Sequence, residues 1–242
     1  MKYMGSKRRF AKDILSLILK YRLENQWYVE PFVGGANVIE NVDKKRIGSD
    51  KHPYLIAFLK ALSNDFIPPK FISEDEYTEI KNNKDKFPKE LVGYVGFGLS
   101  YGGKWFGGYC RDSEKKRNYS LESYKNAMKQ KLKIKDIRFV CCDYRNLDIP
   151  AKSIIYCDPP YQNTTKYKYE FISEDFWNWC REKQRNGNNV FISEYNAPGD
   201  FISIWNSKTT SSLTKNTGEK TAIENLFIHE SFKFKKTGLL YL

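Results

Sequence analysis

Apolar positions along the chain follow two spacings in turn. In KRRFAKDILSLILKY (Lys7–Tyr21), Phe10, Ile14, Leu15 and Ile18 recur three and four residues apart, which predicts an amphipathic helix. WYVEPF (Trp27–Phe32) is a short, largely apolar run and predicts a buried strand that breaks at Val33-Gly34-Gly35. ANVIENV returns to helical spacing, and KRIGSD (Lys45–Asp50) predicts a second strand ending on an acid. PYLIAFLKAL (Pro53–Leu62) predicts a helix with proline in its first turn, where the missing N–H costs nothing. Strand and helix alternating in this way argue for a parallel sheet in an α/β domain.

From about Asn64 to Lys135 the pattern changes. Ser73 and Glu76 are spaced as a capping box at the start of a charged helix. PKELVGYVGFGLSYGGKWFGGYCRD follows, crowded with glycines and aromatics. Then come Lys115, Lys116 and Arg117, and a helix from near Ser120 that closes on Lys129, Lys131, Lys133 and Lys135. No strand of the earlier kind interrupts this stretch, so residues 64–135 are expected to be a mainly helical insertion at the sheet edge. Residues 1–63 and 136–242 form the main domain. Strands resume at IRFVCCD (Ile137–Asp143), SIIYCD (Ser153–Asp158) and NNVFISEY (Asn188–Tyr195), with a helix from Ser173 to about Asn186 stopped by Gly187. FISIW and AIENLFIHE are strand-like. FISED occurs at Phe71 and again at Phe171; each copy reads as a strand end with a helix cap, not a domain repeat.

Charge narrows the partner. The 242 residues carry 41 Lys+Arg against 29 Asp+Glu, a net +12 that favours a polyanion, nucleic acid first. Aromatics make up 16% of the chain, many of them Tyr beside Lys, and bases stack on rings while lysines hold phosphates. A mean hydropathy of −0.65, with no apolar run near the ~18 residues a membrane span needs, excludes a membrane helix. The basic start, MKYMGSKRRF, has no apolar signal core, which argues against secretion. Cys141, Cys142 and Cys157 sit in apolar runs, and the five cysteines contain no C-x-x-C pair. They are expected to be reduced, buried thiols of a cytoplasmic protein with no metal site.

In open parallel sheets, ligands bind beyond the carboxyl ends of the strands. Here EPFVGG puts Gly34 and Gly35 just past the first predicted strand, where backbone can approach a ligand closely. GSD puts Asp50 at the end of the second, the usual position for a carboxylate gripping ribose hydroxyls. Asp143 and Asp158 follow the next two. Each acid alone is more often a helix cap; in this order they describe a Rossmann-like crevice for an adenosine-containing cofactor. The glycines spell neither G-x-G-x-x-G nor a P-loop, which favours a cofactor without a phosphate chain, and S-adenosylmethionine fits.

YMGSK (Tyr3–Lys7), EPFVGG (Glu30–Gly35), GSD and YCDPPY together resemble the ordered motifs of the Dam-type DNA adenine N6-methyltransferases. The resemblance implies a Rossmann-like S-adenosylmethionine-dependent methyltransferase sheet with an inserted target-recognition region. It implies that Tyr3, Lys7, Phe32, Gly34, Gly35, Asp50 and Asp158 contact the cofactor. Tyr3 would offer an aromatic surface and Lys7 would hold the methionine carboxylate, against the plain reading of a solvated lysine. Asp143 and Tyr144 would flank the adenine. The chain has F-V-G-G where relatives often carry F-x-G-x-G. A bacterial or phage-infected bacterial cytoplasm, a restriction-modification or phage setting, and a monomer acting on double-stranded DNA complete the picture.

The same resemblance gives the D-P-P-Y stretch a chemistry. An adenine amine is a poor nucleophile because its lone pair is delocalised into the ring. A carboxylate at Asp158 and the Pro159 carbonyl can accept its two N–H bonds and localise that lone pair. Pro159 and Pro160 fix the carbonyl in advance, and Tyr161 supplies a face for an extruded base. Cys157 is expected to serve packing. The insertion is expected to meet DNA through Lys104, Trp105, Phe106, Arg111, Lys115, Lys116 and Arg117. The alternative for GGKWFGG is a hydrophobic turn packed on the core. An N4-cytosine methyltransferase usually carries Ser in place of Asp158, and enzymes acting on RNA or protein glutamine more often carry Asn. A non-catalytic DNA-binding module would leave Asp50 and DPPY idle.

Overall fold

The computed structural model describes residues 1–112, 114, 116–160, 173–211 and 220–232, with backbone alone at 209–211 and 220–221. Among these residues seven strands form a sheet in the order β3-β2-β1-β4-β5-β7-β6. They are β1 (Tyr28–Glu30), β2 (Arg46–Asp50), β3 (Ile137–Cys141), β4 (Ile154–Cys157), β5 (Asn189–Glu194), β6 (Phe201–Ser211) and β7 (Lys220–His229). The helices are α1 (Ala11–Ile18), α2 (Pro53–Ser63), α3 (Glu74–Asn82), α4 (Lys89–Gly93), α5 (Tyr119–Ile134) and α6 (Ser173–Arg185). By compactness the chain forms two units. One is Met1–Asp13 with Pro31–Asp148; the other is Ile14–Glu30 with Ile149–Leu242.

In the first unit β2 and β3 pair in parallel, with Gly48 opposite Phe139 and Asp50 opposite Cys141. β2 is buried almost throughout, as a strand covered on both faces must be, whereas β3 alternates because it is the sheet's edge. Both helix starts read from sequence are present. Pro53 stands in the first turn of α2, and Ser73 with Glu76 closes a capping box on α3. α5 buries Ser120, Ser123, Ala127, Gln130 and Ile134, one helix face of mostly small or polar groups among its lysines. Such a face packs closely: a Cβ on Gly98 would lie 2.5 Å from Ser123 Oγ.

In the second unit β4 pairs in parallel with β1 and with β5. β7 runs antiparallel to both β5 and β6, and a bulge at Ser203/Trp205 shifts the β6–β7 register. The core is aromatic. Tyr21 packs on Phe191 and Phe232, and Trp177 of α6 packs on Phe201 with ring centroids 4.7 Å apart. Arg181 of α6 holds Asp200 with two hydrogen bonds of 2.6 and 2.7 Å.

Three expectations need correction. ANVIENV is not a helix but a single 3-10 turn, Ile39–Asn41. Ala36 has φ +56, which no helix accepts, and the Asn41 amide donates back to the Asn37 carbonyl at 3.0 Å. The amino-terminal helix is likewise split, with 3-10 turns at Lys7–Arg9 and Leu19–Tyr21 on either side of α1. The cysteines are all free, but only Cys157 and Cys180 are buried. Cys141, the last residue of the edge strand, is exposed.

Candidate active site

The glycine turn after β1 is built around Tyr3. Gly34 has φ +47, and a Cβ there would stand 2.8 Å from the Tyr3 ring; on Gly35 it would stand 2.7 Å from both Tyr3 Cβ and the Asn37 amide. The first use of these glycines is therefore to admit the amino-terminal tyrosine, not to open space for a ligand directly. Gln130 of α5, itself buried, donates to the Gly35 carbonyl at 2.9 Å and to Glu40 at 2.7 Å, which pins the turn from the other side. Val33 donates to the Ser49 carbonyl at 2.7 Å and so ties the turn to the last residues of β2.

Asp50 ends β2, half-buried, and accepts N–H bonds from Gly34 (3.3 Å) and His52 (2.9 Å). Burial raises its pKa, and the backbone N–H groups of His52, Gly34 and Lys51, with the Lys51 charge, oppose the rise. A carboxylate has about four acceptor positions, so this one keeps capacity for hydroxyl donors. Its neighbour His52 caps α2: Nδ1 accepts from the Leu55 N–H at 3.3 Å, and burial drops the imidazole pKa to about 4. His52 is therefore a neutral ring with its proton on Nε2.

The other residues expected at the cofactor, Asp158 excepted, are also in this unit. Phe32 and Tyr144 face each other with centroids 5.1 Å apart. Asp143 caps the turn Tyr144–Asn146 and is held by Arg145, whose side chain lowers the Asp143 pKa, so the cap reading of that acid is realised. Lys7 is 7% exposed, which removes the reading of it as a solvated lysine.

In the second unit β4 runs into Asp158, which is half-buried, with Pro159 buried behind it. The strand is anchored by Ile154, Ile155, Tyr156 and Cys157, all buried, and the Tyr156 hydroxyl pairs with Ser193 at 2.8 Å. Burial, followed by the charge of Asp158, drives the Tyr156 phenol well above its usual pKa, so it stays protonated. Tyr161 lies outside the described residues. Among the described residues no group of His, Cys, Asp and Glu could hold a metal ion, and no helix is long and apolar enough to cross a membrane.

The family model of the D12 class N6 adenine-specific DNA methyltransferases matches residues 3–91 and 92–226. The chain belongs to this family. Among curated proteins none matches it. As a D12 enzyme it methylates the N6 amine of adenine in DNA.

That surface differs from the sequence expectation. Ser100 and Tyr109 bridge, and Tyr101 N–H donates to the Gly108 carbonyl, so GGKWFGG forms a tight loop. Trp105 and Phe106 turn inward. Trp105 stacks on Tyr54 at 5.4 Å and packs edge-on to His52 at 4.4 Å, while Phe106 is 8% exposed against Tyr77. Their groove-entering role gives way to packing, because Gly96 leaves room for the indole: a Cβ there would stand 2.3 Å from it. Lys104 and Tyr101 are the loop's outward side chains, Tyr101 at 70% exposed. Arg111 pairs with Glu74, Lys116 with Glu114, and Arg117 makes two bonds to Glu122 of 2.9 and 2.8 Å. These pairs are exposed, and surface pairs of this kind hold weakly. Lys115 lies outside the described residues.

Four residues were not singled out from sequence. Gln130 is one glutamine in a lysine-rich helix and His52 one residue of a loop, and neither carries a local signal. Asn37 shows only through its closeness to Gly35, and Tyr101 only through the direction of a glycine turn.

Proposed function

We propose that this D12 enzyme takes its methyl group from S-adenosylmethionine and delivers it directly to adenine N6 in double-stranded DNA, acting as a monomer in the cytoplasm. One observation carries the cofactor reading: a strand-end carboxylate, Asp50, is fixed by the amides of Gly34 and His52 beside a glycine turn with no phosphate-binding loop. That donor set suits ribose hydroxyls. Tyr3, Phe32 and Tyr144 supply aromatic faces, and Lys7 the charge for a carboxylate. When bound, S-adenosylmethionine supplies an electrophilic methyl on its sulfonium.

The remaining work belongs to the chain. The adenine amine must have its lone pair drawn out of the ring. Asp158 and the Pro159 carbonyl accept its N–H bonds, and the flanking prolines hold that carbonyl in place before the base arrives. The base must leave the duplex to reach them. Tyr161 stacks on it there, and Tyr101, Lys104 and the exposed arginines meet the DNA. The amine proton departs to solvent or Asp158 once the N–C bond has formed.

The test is incubation with labelled S-adenosylmethionine and duplex DNA, followed by nucleoside mass spectrometry. N6-methyladenine is expected, and Asp158→Ala should lower turnover by about 10²–10³ or more while leaving the fold intact. N4-methylcytosine as product, or near-normal turnover in Asp158→Ala, defeats this mechanism. Asp50→Ala should weaken cofactor binding in calorimetry, and an unchanged affinity would remove Asp50 from the site.

A further inference from the structure

The aromatic cluster on the insertion reaches the carboxylate assigned to the cofactor through a continuous set of packed groups, all within one compact unit. Trp105 sits edge-on to His52 with centroids 4.4 Å apart, and Phe97 is 4.8 Å from Trp105 and 5.0 Å from His52. His52 donates its backbone N–H to Asp50 and caps α2 through Nδ1. Phe97 also packs on Tyr3 at 5.4 Å, and Tyr3 fills the space over Gly34 and Gly35. Gly34 in turn donates to the same Asp50 carboxylate. Two routes therefore run from one indole to two of the donors that orient Asp50, one through His52 and one through Phe97, Tyr3 and Gly34.

The indole is held firmly enough to act this way. Tyr54 stacks on it and the backbone at Gly96 lies against it, while the Phe106 N–H donates to the Gly96 carbonyl at 2.8 Å. Gly96 belongs to a π-helical turn, Tyr94–Gly98, a distortion that proteins tolerate mostly where a site requires it. Packing of the core alone needs a large apolar side chain at residue 105. It does not need that side chain set against the ring of the residue that orients a strand-end acid.

We infer that Trp105 is a positioning residue for the cofactor site, acting through His52 on Asp50, so that the loop carrying Tyr101 and Lys104 and the cofactor-binding carboxylate are set by the same side chain. The inference rests on the reading of Asp50 as a cofactor ligand. It makes Trp105 matter for S-adenosylmethionine affinity although the residue lies in the insertion.

The experiment measures S-adenosylmethionine affinity by calorimetry, without DNA, for the full chain and for Trp105→Ala, Trp105→Phe, His52→Asn, Asp50→Ala and the double variant Trp105→Ala/His52→Asn. Asparagine keeps the helix cap and removes the ring, so His52→Asn is expected to fold normally. Circular dichroism and the melting temperature establish which variants are folded. Trp105→Ala should raise Kd about fivefold or more, Trp105→Phe should restore most of the affinity, and the double variant should be no worse than the weaker single one. Folded Trp105→Ala or His52→Asn with wild-type Kd overturns the inference. If Asp50→Ala alone loses affinity, only the inference fails. If Asp50→Ala also binds normally, the cofactor reading fails with it. Additive losses in the double variant likewise overturn a route through His52. Should Trp105→Ala not fold, His52→Asn decides the matter by the same criterion.

Discussion

Gly103 and its neighbour Gly102 give a matched pair for testing how the insertion loop is held. Both are in the left-handed region, at φ +68 and +62. A Cβ on Gly102 would meet nothing within 4 Å. On Gly103 it would lie 2.6 Å from Tyr3 N and 2.8 Å from both Lys2 C and Tyr3 Cα. These are backbone atoms that cannot rotate aside, and the Gly103 carbonyl also accepts the Met4 N–H at 3.3 Å. Alanine at 102 therefore costs only the backbone conformation, about 1–2 kcal/mol. Alanine at 103 adds an overpacking cost of about 1–3 kcal/mol, for a total of roughly 2–5 kcal/mol. At roughly 3 °C per kcal/mol for a chain of this size, Gly102→Ala should lower Tm by about 4 °C and Gly103→Ala by about 10 °C. Scanning calorimetry reads the difference. Because two of the three colliding atoms belong to Tyr3, Gly103→Ala should also weaken S-adenosylmethionine binding while Gly102→Ala does not. Equal losses of Tm, or unchanged cofactor affinity in Gly103→Ala, would refute the contact as the reason for this glycine.

Burial lowers the His52 pKa from 6.5 to about 4, so the folded protein keeps the ring neutral while the unfolded chain protonates it near 6.5. Its contribution is fully present above about pH 6.5 and is lost as pH falls towards 4, by up to about 3 kcal/mol. Urea unfolding at pH 7 and pH 4.5 should show this loss in the wild type and little of it in His52→Asn; parallel losses in both would assign the pH dependence elsewhere. On DNA, Lys104→Ala should lower the slope of log K against log salt by about one, because among the described residues Lys104 makes no ion pair. Arg117→Ala should lower it by less, since Arg117 must first leave Glu122. Filter-binding titrations in which Lys104→Ala leaves the slope untouched would take Lys104 off the DNA.

Much of this protein could be read locally. β1, β2, β4 and β5 end on an acid or directly before one, and Pro31 and Pro159 keep the ladder from continuing beyond β1 and β4. The capping box of α3 and the proline start of α2 are decided within four residues, so Ser73, Glu76 and Pro53 announced them. The DPPY, glycine and GSD motifs were equally plain, being short segments whose order along the chain survives folding. ANVIENV misled because its spacing is helical while Ala36 is forced into a left-handed turn by what surrounds it.

The rest required the fold. Whether GGKWFGG offers its aromatics to DNA or buries them depends on Gly96, Tyr54 and His52, which lie up to about fifty residues away in sequence. Only their packing shows that Trp105 and Phe106 turn in and Tyr101 and Lys104 turn out. The support of Gly35 by Gln130 bridges 95 positions and leaves no periodic trace. Sequence determined the reaction class and the order of the elements, since both are carried by contiguous residues. Tertiary structure decided which side chains turn outward and which face the core, because burial is settled by neighbours that the chain brings together only when it folds.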